Sequence, residues 1–144
     1  MDTNWKEVPR GDTTPAAAGL KATMNLRGHI SWNRFTHERL GRPEAVRLLF
    51  DPVNNRIGLQ PVKPHTQNAY PIGPQGKHGG RIIRAYRMLN EFGIALRETI
   101  EFVNPEIDRQ GILILDLRTT RLSNHAAGKM RKRQQLRARS DGMI

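Results

Sequence analysis

The sequence contains no cysteine, few aromatic residues and no long apolar run. The absence of cysteine excludes a thiol nucleophile, a disulfide bond and a thiolate metal site. The apolar stretches fall well short of the roughly 18 residues that a membrane span requires. Polar residues follow Met1, where a secretory signal would have an apolar segment. We therefore expect a cytoplasmic protein with no membrane partner.

Residue patterns of catalysis and metal binding are also missing. The segment 76–80 superficially resembles a phosphate loop, but His78 follows Lys77 where that motif requires serine or threonine. Ser31 and Ser123 lack the surroundings of a nucleophile elbow, and no histidines stand at metal-binding spacing. Nothing marks two carboxylates as a general acid–base pair. We expect no cofactor, no metal and no catalytic residues, so the protein is not predicted to be an enzyme.

Basic residues are the main compositional signal. Lysine and arginine number 24 against 13 acidic residues, which gives a formal net charge of +11 on 144 residues. Such an excess repels itself unless an anionic partner or counterions screen it. Nucleic acid is the commonest partner of this kind, and we expect double-stranded DNA first. A nucleoid-associated location would follow from that partner.

Both ends of the chain are polar. Residues 1–22 contain prolines, glycines and an alanine run without lasting periodicity, so we expect an N-terminal arm. Residues 121–144 are rich in basic residues and contain one acid, Asp141. We expect this segment to be a basic tail that contacts phosphates through Lys129, Arg131, Lys132, Arg133, Arg137 and Arg139.

An internal repeat occupies the predicted core domain, residues 23–120. Its copies span residues 24–61 and 79–117, and residues 62–78 connect them. Gly28 and Gly80 precede the first predicted strand of each copy, and Gly41 and Gly93 follow each predicted helix. Both glycine pairs are 52 positions apart. The spacing indicates that the two copies have the same order of elements.

Each copy is predicted to run strand, short helix, strand, turn, strand. The helices are expected over residues 34–40 and 86–92. Alternating apolar residues then predict strands with one buried face, at Val46, Leu48 and Phe50, at Ile57 and Leu59, at Ile100 and Phe102, and at Ile112 and Ile114. In the connector, Pro71 restricts a predicted strand at residues 69–72 to a sheet edge, because proline cannot donate a ladder hydrogen bond.

One such unit is too small to bury a stable core alone, so we expect the two copies to fold against each other. The resulting fold class is α+β. The predicted shared core consists of Ile30, Phe35, Leu40, Val46, Leu48, Phe50, Ile57, Leu59, Ile82, Met88, Leu89, Phe92, Ile100, Phe102, Ile112 and Ile114.

The repeat resembles the AbrB/SpoVT-type swapped-hairpin domain of bacterial transition-state regulators and antitoxins. The resemblance lies in a Gly-containing first strand, a helix that ends at glycine, and two alternating strands across a turn. The matching segments are Arg27–Ile30, Glu38–Gly41, Val46–Asp51 and Arg56–Leu59 in copy one, and Gly80–Ile83, Phe92–Ile94, Thr99–Phe102 and Gly111–Asp116 in copy two. It implies two β-α-β-β repeats interlocked as a single-chain pseudo-dimeric swapped-hairpin barrel.

The same resemblance implies where DNA is contacted. In that family the paired first strands and adjoining loops present arginines to the duplex. Carried onto this sequence, the positions are Arg27, His29 and Arg34 in copy one, and Arg81, Arg84 and Arg87 in copy two, with Lys77 and His78 just before them. Independently, the planar fork of arginine suits bidentate contact with phosphates and guanine edges.

The expected function is that of a DNA-binding transcriptional regulator or nucleoid-type protein of a prokaryote or phage. Two alternatives stay open. One is an RNA-binding or ribonucleoprotein component, and the other is an adaptor or antitoxin-like protein that binds an acidic protein. Association of two copies into a homo-oligomer is also left open.

Overall fold

The computed structural model describes Trp5 and residues 19–123. In chain order the elements are β1 (Ala22–Met24), β2 (His29–Trp32), α1 (Arg34–Arg39), β3 (Ala45–Asp51), β4 (Arg56–Val62), β5 (Ala69–Pro71), β6 (Gly73–Gln75), β7 (Gly80–Arg84), α2 (Tyr86–Glu91), β8 (Ile100–Phe102), β9 (Glu106–Ile107), β10 (Leu113–Asp116) and β11 (Thr120–Leu122). Strands dominate and helices are few, in agreement with the predicted α+β class. In this part of the chain, no helix has the length and apolar character needed to cross a bilayer.

The strands form two antiparallel sheets. Sheet A has the order β11-β8-β1-β2-β7-β6, and sheet B has the order β5-β3-β4-β10-β9. Each order is open, with two edge strands, so neither sheet closes on itself. The expected barrel is therefore not formed.

Both helices occupy the predicted positions to within one residue. Asn33 caps α1, because its side-chain oxygen accepts a hydrogen bond from the Thr36 N–H at 2.9 Å. Gly41 (φ +87°) follows α1, and Gly93 (φ +64°) follows α2. This left-handed conformation is the usual helix-ending geometry of glycine, which explains why the repeated glycines located the helix ends.

The first predicted hairpin is confirmed. In the β3–β4 pair Leu48 lies opposite Leu59, and Phe50 lies opposite Ile57. At the turn the Asp51 carboxylate accepts hydrogen bonds from the Asn54 side chain and backbone, which together with Arg56 and Val53 lower its pKa to about 2. The predicted edge strand is also present, as β5 paired with β3 at the edge of sheet B.

The second predicted hairpin is wrong. Strand β8 does not pair with β10; it lies in sheet A between β1 and β11, whereas β10 pairs with β4 and β9. In this placement Glu101 of β8 has a basic partner on each neighbouring side. Its carboxylate lies 2.6 Å from the guanidinium of Arg121 in β11 and 3.6 Å from the ammonium of Lys21 beside β1. Arg121 and Leu122, assigned to the tail from sequence, thus belong to a strand of sheet A.

Half of the sixteen predicted core residues are buried, and the prediction needs a correction in β10. Leu113 and Leu115 are fully buried, while Ile112 and Ile114 are only half-buried, so the predicted inward face of this strand is wrong by one residue. Phe92 was also predicted inside but is 45% exposed. Besides Leu113 and Leu115, the buried hydrophobic residues outside the predicted core list are Ala22, Met24, Trp32, Ala45, Ile83 and Ala85. Of the remaining predicted core residues, those that are half-buried are Phe35, Leu48, Phe50, Ile82 and Ile100.

Candidate nucleic-acid interface

The strands β2 and β7 pair with each other in sheet A, where β1 lies on the other side of β2 and the edge strand β6 lies on the other side of β7. Ile30 lies opposite Ile83, and both are buried. Side chains alternate along a strand, so the next pair, His29 opposite Arg84, points to the other side of the sheet. The structure thus places two of the predicted contact residues, one from each copy, side by side on the face away from the core.

The turn that precedes β2 packs on the start of α2. Gly28 has φ +81°, and a Cβ there would lie 2.6 Å from the Tyr86 Cα. The Ala85 N–H donates a 2.9 Å hydrogen bond to the Gly28 carbonyl. Only glycine permits this close approach at positive φ. The contact puts exposed Arg27, the neighbour of Gly28, beside the first turn of α2.

The turn that precedes β7 packs on the start of α1 in a corresponding way. Gly79 has φ +82°, and a Cβ there would lie 2.9 Å from the Arg34 side chain. Exposed Lys77 and His78 belong to this turn. Because β2 and β7 are antiparallel, the two turn–helix contacts lie at opposite ends of the strand pair.

Three arginines from different elements line one cleft beside α2. Arg47 of β3, Arg84 of β7 and Arg87 of α2, which we call the α2 cluster, line a cleft of about 1010 Å³ between α2 and the β3–β5 edge of sheet B. Among the described residues, no carboxylate lies within ion-pair distance of these three guanidiniums. Glu91 is the only acidic residue among the described residues of the cleft wall. The α2 cluster therefore has charge available for an anion.

A second group of arginines lies beside α1. Arg34, Arg42 and Arg81, the α1 cluster, line a cleft of about 760 Å³. Glu38 pairs with Arg34 at 2.9 Å and with Arg42 at 3.7 Å. The Arg81 guanidinium donates to the carbonyls of Gly79 and Gly80, at 3.0 Å each. These contacts partly satisfy the α1 cluster within the protein, so it is less available than the α2 cluster.

His37 stands behind the α1 cluster and is buried. Burial lowers its pKa below the ordinary 6.5, and the charges of Arg81 and Arg42 lower it further, while Glu38 opposes the shift. At neutral pH the imidazole is therefore uncharged. The positive charge of this cleft comes from arginines and not from histidine.

No family model, curated protein or solved structure matches this chain.

The described residues contain no group of three histidine or acidic side chains that could hold a metal ion. The predicted contact residues separate into two groups. Arg27, His29, Arg84 and Arg87 gather at the α2 end of the strand pair, and Arg34, Lys77, His78 and Arg81 gather at the α1 end. The six predicted residues of the basic tail, Lys129, Arg131, Lys132, Arg133, Arg137 and Arg139, lie outside the described residues.

Sequence reasoning missed Arg47, Arg42 and Tyr70. Arg47 lies between Val46 and Leu48 in an alternating strand, so its outward direction could have been read from the pattern. Its meeting with α2, about 40 positions later in the chain, depends on the packing of sheet B against α2. Tyr70 reaches the same cleft from the edge strand β5.

Proposed function

We propose that the protein binds double-stranded DNA through the two arginine clusters at the ends of the β2–β7 strand pair. The observation that carries the proposal is that Arg47, Arg84 and Arg87, from three elements, line one cleft without a carboxylate partner among the described residues. A cleft lined by charges of one sign attracts the opposite charge, and the phosphates of DNA are such anions. The net charge of +11 acts in the same direction.

We further infer that the chain is built from two interlocked β-α-β-β repeats about an approximate twofold axis. Support comes from the direct pairing of β2 with β7 and of β4 with β10. The reciprocal packing of Gly28 on α2 and of Gly79 on α1 is the contact that interlocked units require. Gly28 and Gly79 both have positive φ, so Gly79, and not Gly80, is the structural counterpart of Gly28 in the second copy. The two copies differ at β8, which lies in sheet A although its counterpart β3 lies in sheet B. The proposed symmetry therefore covers only the strands and helices around the axis.

Approximate twofold symmetry would suit duplex DNA, whose backbone is itself twofold symmetric. The four paired positions of β2 and β7 span about 10 Å at the usual rise per residue. Arg81 and Arg84 are three positions apart in β7, so their side chains start on opposite faces of sheet A. The two clusters would therefore meet separate phosphate groups. Contacts of this kind position a protein on the duplex without reading its sequence. A role as a regulator or nucleoid-type protein of the AbrB/SpoVT kind is the proposal that follows.

The test is a fluorescence-anisotropy titration of the full chain against a 20-base-pair duplex at several salt concentrations. Each released phosphate counterion contributes about −0.9 to the slope of log K against log salt, so a slope of several units is expected. Arg84→Ala/Arg87→Ala should weaken binding and reduce the slope by roughly two units. The charge-matched control is Lys63→Ala/Arg109→Ala, which removes two exposed cations that line neither cleft.

Two results would contradict duplex binding. A flat salt dependence would show that phosphates are not bound, and equal losses in the arginine pair and the control would remove the clusters as the contact. Parallel titrations with structured RNA and with polyglutamate distinguish the remaining partners. Tighter binding to RNA at equal salt would indicate a ribonucleoprotein role, and efficient competition by polyglutamate would indicate an acidic protein.

A further inference from the structure

The α2 cleft combines charge with exposed aromatic surface. Tyr86 is 59% exposed and Phe92 is 45% exposed, although the chain has few aromatic residues. The Phe92 ring lies 4.2 Å from that of Phe50, tilted by 33°, so Phe92 is held in place from beneath. Tyr70 adds a third aromatic group from the opposite wall. Exposed apolar surface that is contiguous commonly marks a binding surface, and Tyr86 and Phe92 line the same cleft.

The arginines of the α2 cluster lie in the wall of the same cleft. Arg84 lies two positions before Tyr86 and Arg87 one position after it, and all three residues line the cleft. Arg47 contributes from β3. Aromatic rings beside unpaired cations match a nucleotide, whose base has a flat π-face and whose phosphate is an anion.

The cleft beside α1 provides an internal contrast. It holds the same number of arginines, but Arg34 occupies the first position of its helix, where α2 has Tyr86. No phenylalanine, tyrosine or tryptophan is among its described lining residues. The two clefts therefore differ in aromatic surface as well as in the availability of their arginines, and both differences favour a separate role for the α2 cleft.

We propose that the α2 cleft binds an unpaired nucleotide of the nucleic acid, with its base stacked on Tyr86 and its phosphates bound by Arg84, Arg87 and Arg47. This inference rests on the proposed nucleic-acid binding and names a subsite within it. The cleft volume of about 1010 Å³ is at the upper end of ordinary ligand pockets, which is ample for one nucleotide. An acidic peptide would use the arginines but would leave the aromatic rings without a flat partner.

The test compares three labelled ligands by anisotropy with the full chain: a 12-nucleotide oligothymidine, an abasic strand with the same number of phosphates, and a 12-base-pair duplex. Oligothymidine should bind at least about fivefold more tightly than the abasic strand, since stacking of one base on an aromatic side chain has about that effect or more. Tyr86→Ala should abolish this preference, and Tyr86→Phe should retain it. Val53→Ala is the control, because Val53 is 81% exposed and lies in a turn outside both clefts.

The outcomes separate the two proposals. Equal affinity for oligothymidine and the abasic strand, or a preference that persists in Tyr86→Ala, would overturn the nucleotide subsite while salt-dependent duplex binding could still stand. If wild type does not bind the duplex but shows a base preference that depends on Tyr86, the duplex proposal is overturned and the subsite is supported. Because Tyr86 is exposed, circular dichroism of the variants should match wild type.

Discussion

The indole Nε1 of Trp32 donates a hydrogen bond to Nδ1 of His37 across 3.2 Å, and both side chains are buried. The bond joins the end of β2 to α1. It requires an unprotonated Nδ1, because a protonated imidazole has no acceptor nitrogen. The geometry and the lowered pKa of His37 thus favour the same neutral form.

We predict that stability falls as the pH drops below 6.5. The folded state lowers the pKa of His37, so the unfolded chain takes up a proton at a higher pH than the folded chain. The contribution of His37 is therefore complete above about pH 6.5 and is lost as the pH falls through the folded-state pKa. Urea unfolding at pH 8, 7, 6 and 5 measures the effect.

The control is His37→Gln, which cannot titrate and should show a flatter pH dependence between pH 7 and 5. Asp51 does not interfere, because its pKa is lowered from 3.8 to about 2 and its contribution is lost only below that window. Parallel curves for wild type and His37→Gln would remove His37 as the cause.

Gly28→Ala is predicted to destabilise the protein far more than Gly41→Ala. Both glycines have φ above +80°, so each alanine takes a left-handed conformation that costs about 1–2 kcal/mol. At Gly41 nothing lies within 4 Å of the new Cβ, whereas at Gly28 it meets the Tyr86 Cα at 2.6 Å and Leu89 at 2.7 Å. Overpacking of this kind adds about 1–3 kcal/mol. Equal unfolding free energies in a urea titration would show that the turn does not pack on α2.

The direction of β10 gives a further prediction. Leu113→Ala should cost about 2–5 kcal/mol, because it removes a fully buried leucine from the core. Ile114→Ala should cost about 1 kcal/mol or less, because Ile114 is half-buried on the opposite face and loses less buried surface. Chemical denaturation of both variants measures the difference. If Ile114→Ala lowered the unfolding free energy more than Leu113→Ala, the inward face predicted from the sequence would be correct.

That wrong face shows where the sequence pattern stops being informative. Residues 112–115 are four consecutive aliphatic residues, and a continuous apolar run carries no alternation from which to choose a face. Val46, Leu48 and Phe50 alternate with other residues, and there the predicted strand and its partner are confirmed. The helices were predicted because glycine and polar residues mark their ends, which is local information.

Non-local contacts account for the remaining differences. The partners of β8 are β1 and β11, which lie about 80 positions before it and about 20 after it, and no local pattern in residues 100–102 specifies them. The candidate interface follows the same rule. Arg84 and Arg87 were predicted as contacts, but their convergence with Arg47 and Tyr70 requires the packing of α2 beside sheet B.

Arg121→Ala is predicted to destabilise the protein by about 1–3 kcal/mol, the cost of depriving a buried polar group of a charged partner. Glu101 is 7% exposed, and its Oε2 accepts from Arg121 at 2.6 Å, so the variant leaves the carboxylate with Lys21 at 3.6 Å. The matched control is Arg109→Ala, an exposed turn arginine whose loss should change stability by no more than about 0.5 kcal/mol.

Adding Glu101→Gln to Arg121→Ala should recover part of the loss, because a neutral amide is less costly to bury than an unpaired carboxylate. Urea unfolding of wild type, Arg121→Ala, Arg109→Ala and the double variant measures these differences. If Arg121→Ala matches the control, the ion pair does not hold β8 between β1 and β11, and the buried Phe102 beside it is what places the strand in sheet A.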